Sequence, residues 1–239
     1  MITSVQNETI KNIMKLKQKK YRDESGLFLV EGYHLVEEAR KHHCVDIIIT
    51  TQDISYEEKT IQVSFEVMKK LAFTQTPQPI MAICKKGYQK NEIINQSRYV
   101  LLDRLQDPGN VGTIIRTALA LGIDQVIISK DSVDLYNDKV LRSTQGAIFQ
   151  MNVCMMDLKE AIECLHKQGV YVYGTCLNNA SSIKTYQAKE KMAFVMGNEG
   201  QGVSQDILAL CDHLVYISIQ SIESLNVAVA AAITMYHFS

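Results

Sequence analysis

One arginine lies among apolar residues in the middle of the chain. Residues 103–118 have the pattern of an apolar strand end, a Pro-Gly turn and a helix that carries Arg116 beside Ile115. Asn110 is a good residue type to cap this helix. A charge in an apolar setting must be paired or face a ligand, although a long arginine stem can also carry its charge to solvent. Both interpretations of Arg116 stay open.

The second segment is a glycine-dense loop. Residues 193–204 read as an apolar strand that opens into Gly197-Asn198-Glu199-Gly200-Gln201-Gly202 before a helix. Such a density of glycine indicates unusual backbone dihedrals or close approach of a ligand. The spacing matches neither a dinucleotide-binding loop nor a P-loop. Glu199 is expected either to cap the following helix or to pair with Arg116 or a substrate hydroxyl.

The third segment, residues 217–233, ends in a helix rich in alanine. Ser224 is expected to cap it, and Asn226 is the last polar side chain before Thr234. A buried amide needs partners for its donors and its acceptor. Asn226 therefore either bonds to the local backbone of the first helical turn or belongs to a site.

These segments need a scaffold, and the apolar patterning supplies one. Alternating strands and helices from residue 99 predict a mainly parallel sheet with helices on both faces. A smaller α/β sandwich is predicted before it, beginning with a helix over 4–18, and a polar stretch over 85–97 reads as a linker. We expect a substrate-binding domain over residues 1–93 and a catalytic domain over 98–239.

Composition limits the possible functions. The formal charge is −1 in 239 residues, so any nucleic-acid contact must come from local basic patches. Lys11, Lys15, Lys19 and Arg22 follow helical spacing and predict one basic edge, which is either a solvated face or an RNA contact. The six cysteines form no metal-ligand pattern. No window is long and apolar enough to span a membrane. We expect a cytoplasmic protein without a metal.

Together the three segments resemble the motifs of the SpoU (TrmH-like) family of RNA ribose 2′-O-methyltransferases, which use S-adenosylmethionine. Residues 28–39 are similar to the start of the family's small L30e-like domain. The resemblance implies a trefoil knot in the C-terminal part and a homodimer formed through that part. It carries over a catalytic set that comprises Asn110, Arg116, Glu199, Ser224 and Asn226.

The resemblance also implies that backbone groups bind the methyl donor. The residues expected to do so are Met196, Gly197, Gly200, Ile217, Ile219, Leu225 and Asn226. Here Ser218 and Gln220 stand where the family usually has proline and glycine, or the loop is one residue shorter. The family's donor contacts do not carry over to these two positions.

Chemistry decides the role expected for Arg116. A ribose hydroxyl attacks poorly until its proton is removed or its developing charge is stabilised. A guanidinium keeps its proton until well above pH 12, and removing that proton at neutrality costs about 7 kcal/mol. We therefore expect Arg116 to be an electrostatic clamp whose state is set by Glu199, Asn110 and a substrate phosphate.

Other functions compete with this interpretation. The substrate is expected to be ribosomal RNA, with transfer RNA as the alternative. A knotted enzyme that methylates a base is disfavoured because two pairs, Asn110 with Arg116 and Ser224 with Asn226, resemble the ribose subgroup. A catalytically silent RNA-binding or ribosome-assembly protein on the same fold is the alternative from another class, and the departures at Ser218 and Gln220 are its support.

Overall fold

The computed structural model describes residues 1–86, 92–222 and 224–239. Contacts divide these residues into two compact units. The first contains the described residues up to 86 together with Asp134–Phe149, and the second contains the rest. The sequence-based boundary between 93 and 98 does not anticipate that residues 134–149 belong to the first unit.

The first unit is a four-stranded mixed sheet with helices. Its strands follow the order β1-β4-β2-β3, in which β4 is antiparallel to both neighbours and β3 is parallel to β2. The elements, numbered in order along the whole chain, are α1 (Glu8–Lys15), α2 (Lys19–Ser25), β1 (Leu27–Glu31), α3 (Tyr33–Lys41), β2 (Val45–Thr50), β3 (Lys59–Gln62), α4 (Phe65–Leu71), β4 (Ile80–Lys85) and α6 (Asp138–Thr144), which is followed by a 3₁₀ turn at Ala147–Phe149.

The helix predicted over 4–18 is shorter in the structure, where it spans Glu8–Lys15 with Asn7 rather than Ser4 as its cap, and a separate helix begins at Lys19. A side chain supports the early end of the first helix. The Arg22 guanidinium of α2 donates to the carbonyls of Leu16 and Lys17, at 2.9 and 2.8 Å. These carbonyls at the end of α1 are thereby satisfied without further helix.

The predicted basic edge included Arg22, and the structure contradicts this assignment. It is 6% exposed and pairs with Asp134, which is in the same unit. An arginine held in this way supports the fold and offers no charge to a ligand at the surface. Lys11, Lys15 and Lys19 are exposed, and each bonds to a neighbour on its own helix.

The second unit confirms the predicted mainly parallel sheet. Its seven strands follow the order β7-β6-β5-β10-β8-β11-β9, and every pair of neighbours is parallel. The elements are β5 (Arg98–Asp103), α5 (Pro108–Ala120), β6 (Gln125–Ser129), β7 (Asn152–Met156), α7 (Leu158–Lys167), β8 (Tyr171–Thr175), β9 (Ser181–Ser182), a 3₁₀ turn at Ile183–Thr185, β10 (Met192–Gly197), α8 (Gln205–Leu208), β11 (His213–Tyr216) and α9 (Val227–His237).

Helices cover both faces of this sheet. Leu101 of β5 and Val195 of β10 pack with α7 and α8 in one buried cluster. Side chains alternate along a strand, and Phe194 accordingly faces the other way, where its ring stacks on Phe238 after α9. Parallel strands buried on both faces bring their carboxyl ends to one edge, where ligands bind in such sheets.

Candidate active site

The first segment begins where β5 ends. Asp107, not Asn110, caps α5, because its carboxylate accepts a hydrogen bond from the Asn110 backbone N–H at 2.8 Å. Pro108 takes the first helical position, where it loses no intrahelical hydrogen bond. Asn110 therefore lies inside the first turn, and its side-chain amide is available to another element.

That amide bonds to Glu199 from the glycine-dense loop. Asn110 Nδ2 donates to Glu199 Oε1 at 3.1 Å. The same carboxylate accepts from the backbone N–H groups of Gln106 and Asp107, at 3.3 and 3.2 Å. Glu199 thus neither caps α8 nor pairs with Arg116. It holds the turn before α5 in place.

These hydrogen bonds set the charge state of Glu199. Partial burial alone raises the pKa of a carboxyl group, but here the bonds from Asn110 and from backbone N–H groups outweigh it, and the pKa lies below the usual glutamate value. The side chain is a carboxylate at neutral pH, and it acts as an acceptor.

The glycine loop is shaped by contact with itself. A Cβ built on Gly197 would lie 2.0 Å from the Val203 nitrogen, so the absence of a side chain at this position makes room for the chain's own backbone. Asn198 and Gly202 exchange backbone hydrogen bonds of 3.1 and 2.8 Å. The side-chain Oδ1 of Asn198 accepts from the backbone N–H groups of Gly200 and Gln201, at 2.9 and 3.1 Å. Asn198 is thus an organising residue that the sequence analysis overlooked.

Asp103 is a second residue that the sequence analysis did not single out. It is 3% exposed, and its Oδ2 accepts from both the backbone N–H and the hydroxyl of Ser204, each at 2.8 Å. This carboxylate ties the end of β5 to the far end of the glycine loop. The sequence signal that could have identified Asp103 is an acidic residue at the end of an otherwise apolar strand.

The third segment joins the first through Asn226. Asn226, not Ser224, caps α9, since its Oδ1 accepts from Ala228 and Val229 at 2.9 and 3.3 Å. Its Nδ2 donates to Asn110 Oδ1 at 2.9 Å. Asn226 therefore bonds to the backbone of the first helical turn and also belongs to the candidate site. Ser224 is exposed and bonds to no side chain or backbone group in the described part of the chain.

Arg116 lies outside this network. It is on the exposed side of α5 and makes no hydrogen bond or ion pair with a residue that the structure describes. The expected contacts with Glu199 and Asn110 are absent within the described chain. Its position favours an interaction with a group that binds from outside.

Backbone groups near β11 are available to a ligand. The strand ends at Tyr216. Within the described residues of 217–225, no backbone group takes part in a backbone–backbone hydrogen bond. Ile217, Ile219 and Leu225 are half-buried there. Free amide groups beside apolar side chains fit a flat heterocycle with polar edges.

Comparison with known proteins identifies the family. The model of the SpoU rRNA Methylase family matches residues 97–236. The chain belongs to this family. The model of the MRM3-like substrate binding domain matches residues 7–82. The resemblance stated from the three segments is confirmed, as is the substrate-binding domain at the N-terminal end.

Relatives match over almost the whole chain. The 23S rRNA (guanosine(2553)-2′-O)-methyltransferase RlmP of Bacillus subtilis is 38% identical over 99% of this chain and 98% of its own. The crystal structure of an rRNA methyltransferase from Sinorhizobium meliloti superposes with a TM-score of 0.90 at 29% identity, covering 99% of this chain and 95% of that one. The AdoMet-bound structure from the same organism gives 0.89 at 28% identity, with the same coverage.

The described residues contain neither a candidate metal site nor a helix that could span a membrane. No group of three or more His, Cys, Asp or Glu side chains in this part of the chain could hold a metal ion. Among the helices over the same residues, none has the length and apolar character required to cross a bilayer.

Proposed function

We propose that this SpoU family member transfers a methyl group from S-adenosylmethionine to the ribose 2′-hydroxyl of a guanosine in 23S ribosomal RNA. The observation that carries the proposal is the match of both domains, over nearly their full length, to a relative named for that reaction. The hydrogen-bonded Asn110, Glu199 and Asn226 support it, because they join the three segments expected to form the site.

S-adenosylmethionine, the methyl donor, is bound by backbone groups more than by side chains. The free backbone groups after β11 offer hydrogen-bond donors and acceptors, with apolar side chains beside them. We assign this role to Met196, Gly197, Gly200, Ile217, Ile219, Leu225 and Asn226. S-adenosylmethionine supplies an electrophilic methyl group, so the reaction needs no metal.

The residues of the chain act on the nucleophile. We assign Arg116 to the reacting nucleotide, as a clamp on its phosphate and on the charge that develops at the 2′-oxygen. Its guanidinium is exposed and unpaired with described residues, which leaves it free for such contacts. Asn110, Glu199 and Asn226 position the turn and the helix around that oxygen. Ser224, exposed beside Asn226, completes the proposed catalytic set.

The RNA contacts of the first unit are assigned to Lys11, Lys15 and Lys19. These lysines are exposed, and their ion pairs or hydrogen bonds with neighbours on the same helix are the weak kind that an RNA phosphate can replace. Arg22 is excluded from this set because it is buried. We also place the protein in the cytoplasm, where its proposed substrate is made.

A homodimer through the C-terminal domain is supported by an apolar stripe on α9. Val229, Ile233 and Tyr236 are 48, 38 and 74% exposed and follow helical spacing. A second copy would cover them. Light scattering should show that Ile233→Glu is a monomer, while the exposed control Gln205→Glu on α8 stays dimeric. A monomeric wild type would contradict the proposed dimer. The trefoil knot stays a prediction.

Ribose-methylation mapping tests the reaction. We expect cells without the gene to lose one 2′-O-methyl group in 23S rRNA, and the wild-type gene but not Asn110→Ala to restore it. Loss of a methyl group only in a transfer RNA would replace the proposed substrate. An unchanged map, with no S-adenosylmethionine binding in calorimetry, would instead identify a silent RNA-binding protein.

A further inference from the structure

Arg104 has a backbone conformation that an arginine seldom adopts. It follows β5 directly and has a φ of +55°. This left-handed region favours glycine, and other residues pay roughly 1–2 kcal/mol to occupy it. Non-glycine residues in such conformations concentrate at functional sites.

Neighbouring groups hold the Arg104 backbone in that conformation. Its N–H donates to Ser129 Oγ at 2.8 Å, and its carbonyl accepts from Asn198 Nδ2 at 2.8 Å. The residue is thus tied both to the end of β6 and to the glycine loop. The backbone from which the Arg104 side chain extends is therefore fixed between the first and second segments.

The Arg104 side chain is only partly used by the protein. Its Nε donates to Asp103 at 3.2 Å and its Nη1 to Gln201 at 3.3 Å, and the side chain is 33% exposed. A guanidinium has five N–H donors, so three have no partner among the described residues. Two contacts orient the planar group, and its free donors remain for a ligand.

Acidic side chains surround Arg104, and a positive charge among them would offset their repulsion of bound RNA. Asp107 and Asp131 are exposed on the loops next to it, and Glu199 is a carboxylate at neutral pH. These charges repel a polyanion. A guanidinium offers planar, two-pronged hydrogen bonding that suits a phosphate.

We propose that Arg104 binds a phosphate of the RNA strand beside the methylated nucleotide, as a substrate-binding residue. This inference rests on the proposed function. Three observations support the proposal. The backbone of Arg104 is in the left-handed region, its side chain is oriented by bonds to Asp103 and Gln201, and three of its N–H donors have no partner among the described residues.

Arg104→Gly separates strain from binding, because glycine accepts a φ of +55° without cost. We expect its melting temperature to stay near that of the wild type, because the relief of backbone strain offsets the lost ion pair with Asp103, and S-adenosylmethionine binding to be unchanged. Fluorescence anisotropy with a 23S rRNA fragment containing the target should show affinity at least about tenfold weaker. The slope of log affinity against log salt should become shallower by about one phosphate contact. Arg104→Lys should restore part of both.

Arg142→Ala is the matched control, since Arg142 is a similarly exposed arginine that is ion-paired with Asp138 on α6. It should retain wild-type affinity and slope. Wild-type binding and slope in Arg104→Gly would overturn the inference. An unchanged slope together with a lost preference for guanosine would indicate a base contact and would also overturn the inference. Lost S-adenosylmethionine binding would indicate a role in folding and would overturn it as well. A wild type that binds S-adenosylmethionine but not the fragment contradicts the proposed function instead.

Discussion

The side chains of Asn226 and Asn110, 116 residues apart in the chain, are joined by a 2.9 Å hydrogen bond. Asn110 donates in turn to Glu199 at 3.1 Å. Each amide therefore has its orientation fixed, because exchanging its oxygen and nitrogen would place like groups together. The line Glu199–Asn110–Asn226 links all three segments that the sequence analysis singled out.

Variants of Asn226 should separate its two roles. Asn226→Ser keeps a good helix cap but loses the donor to Asn110, whereas Asn226→Ala loses both. We expect only the alanine variant to lose stability, by about 1 kcal/mol in urea unfolding. Both should lose at least about tenfold in single-turnover methylation. Full activity in Asn226→Ser would show that the bond to Asn110 has no part in catalysis.

Glu199 should contribute a pH-dependent part of stability. Its pKa is below the usual value in the folded protein, so its contribution is complete above the unfolded pKa of about 4.3 and declines as pH falls through the folded pKa. The stability difference between wild type and Glu199→Gln should be constant from about pH 6 to 8 and shrink on acidification. A difference that instead grows toward low pH would show that the pKa is raised.

Arg116 should matter for the reaction and not for the fold. It is exposed and bonds to no described residue, so Arg116→Lys should change unfolding free energy by less than about 0.5 kcal/mol. A lysine lacks the planar fork of the guanidinium. We expect a single-turnover rate at least about tenfold lower with unchanged S-adenosylmethionine binding. Retention of most of the rate would exclude a geometric role for the guanidinium.

The buried pair of Arg22 and Asp134 should be costly to break. Their side chains are 7% and 15% exposed. Removing one partner leaves an uncompensated charge, so Asp134→Ala should lose about 3 kcal/mol or more in urea unfolding. The exposed pair of Lys19 and Asp23 is the control, and Lys19→Ala should lose less than about 1 kcal/mol. Equal losses in the two variants would contradict this difference.

Local patterns predicted most strands and helices because their apolar positions follow the right period. They failed where a distant group decides the structure. The helix predicted over 4–18 ends already at Lys15, where Arg22 satisfies the carbonyls of Leu16 and Lys17 just beyond the helix end. Short strands such as β9 depend on pairing with another strand rather than on their own residues.

The candidate site was predicted by residue but not by role. The three segments were found, yet the predicted caps Asn110 and Ser224 lie three and two residues away from the true ones, Asp107 and Asn226. Several types of residue near each helix start can cap it, so composition alone cannot choose among them. Asp103 and Asn198 act through bonds to residues far along the chain or within a folded loop, which no local pattern shows.

The location of residues 134–149 in the first unit means that no single cut separates the two units. A fragment ending near residue 93 would lack Asp134, the partner of Arg22, and also Tyr136, whose ring lies 4.7 Å from that of Phe28. It would therefore expose a core aromatic side chain and an unpaired charge. Expressing the first unit alone requires residues 134–149 to be grafted back, so a simple truncation cannot isolate it.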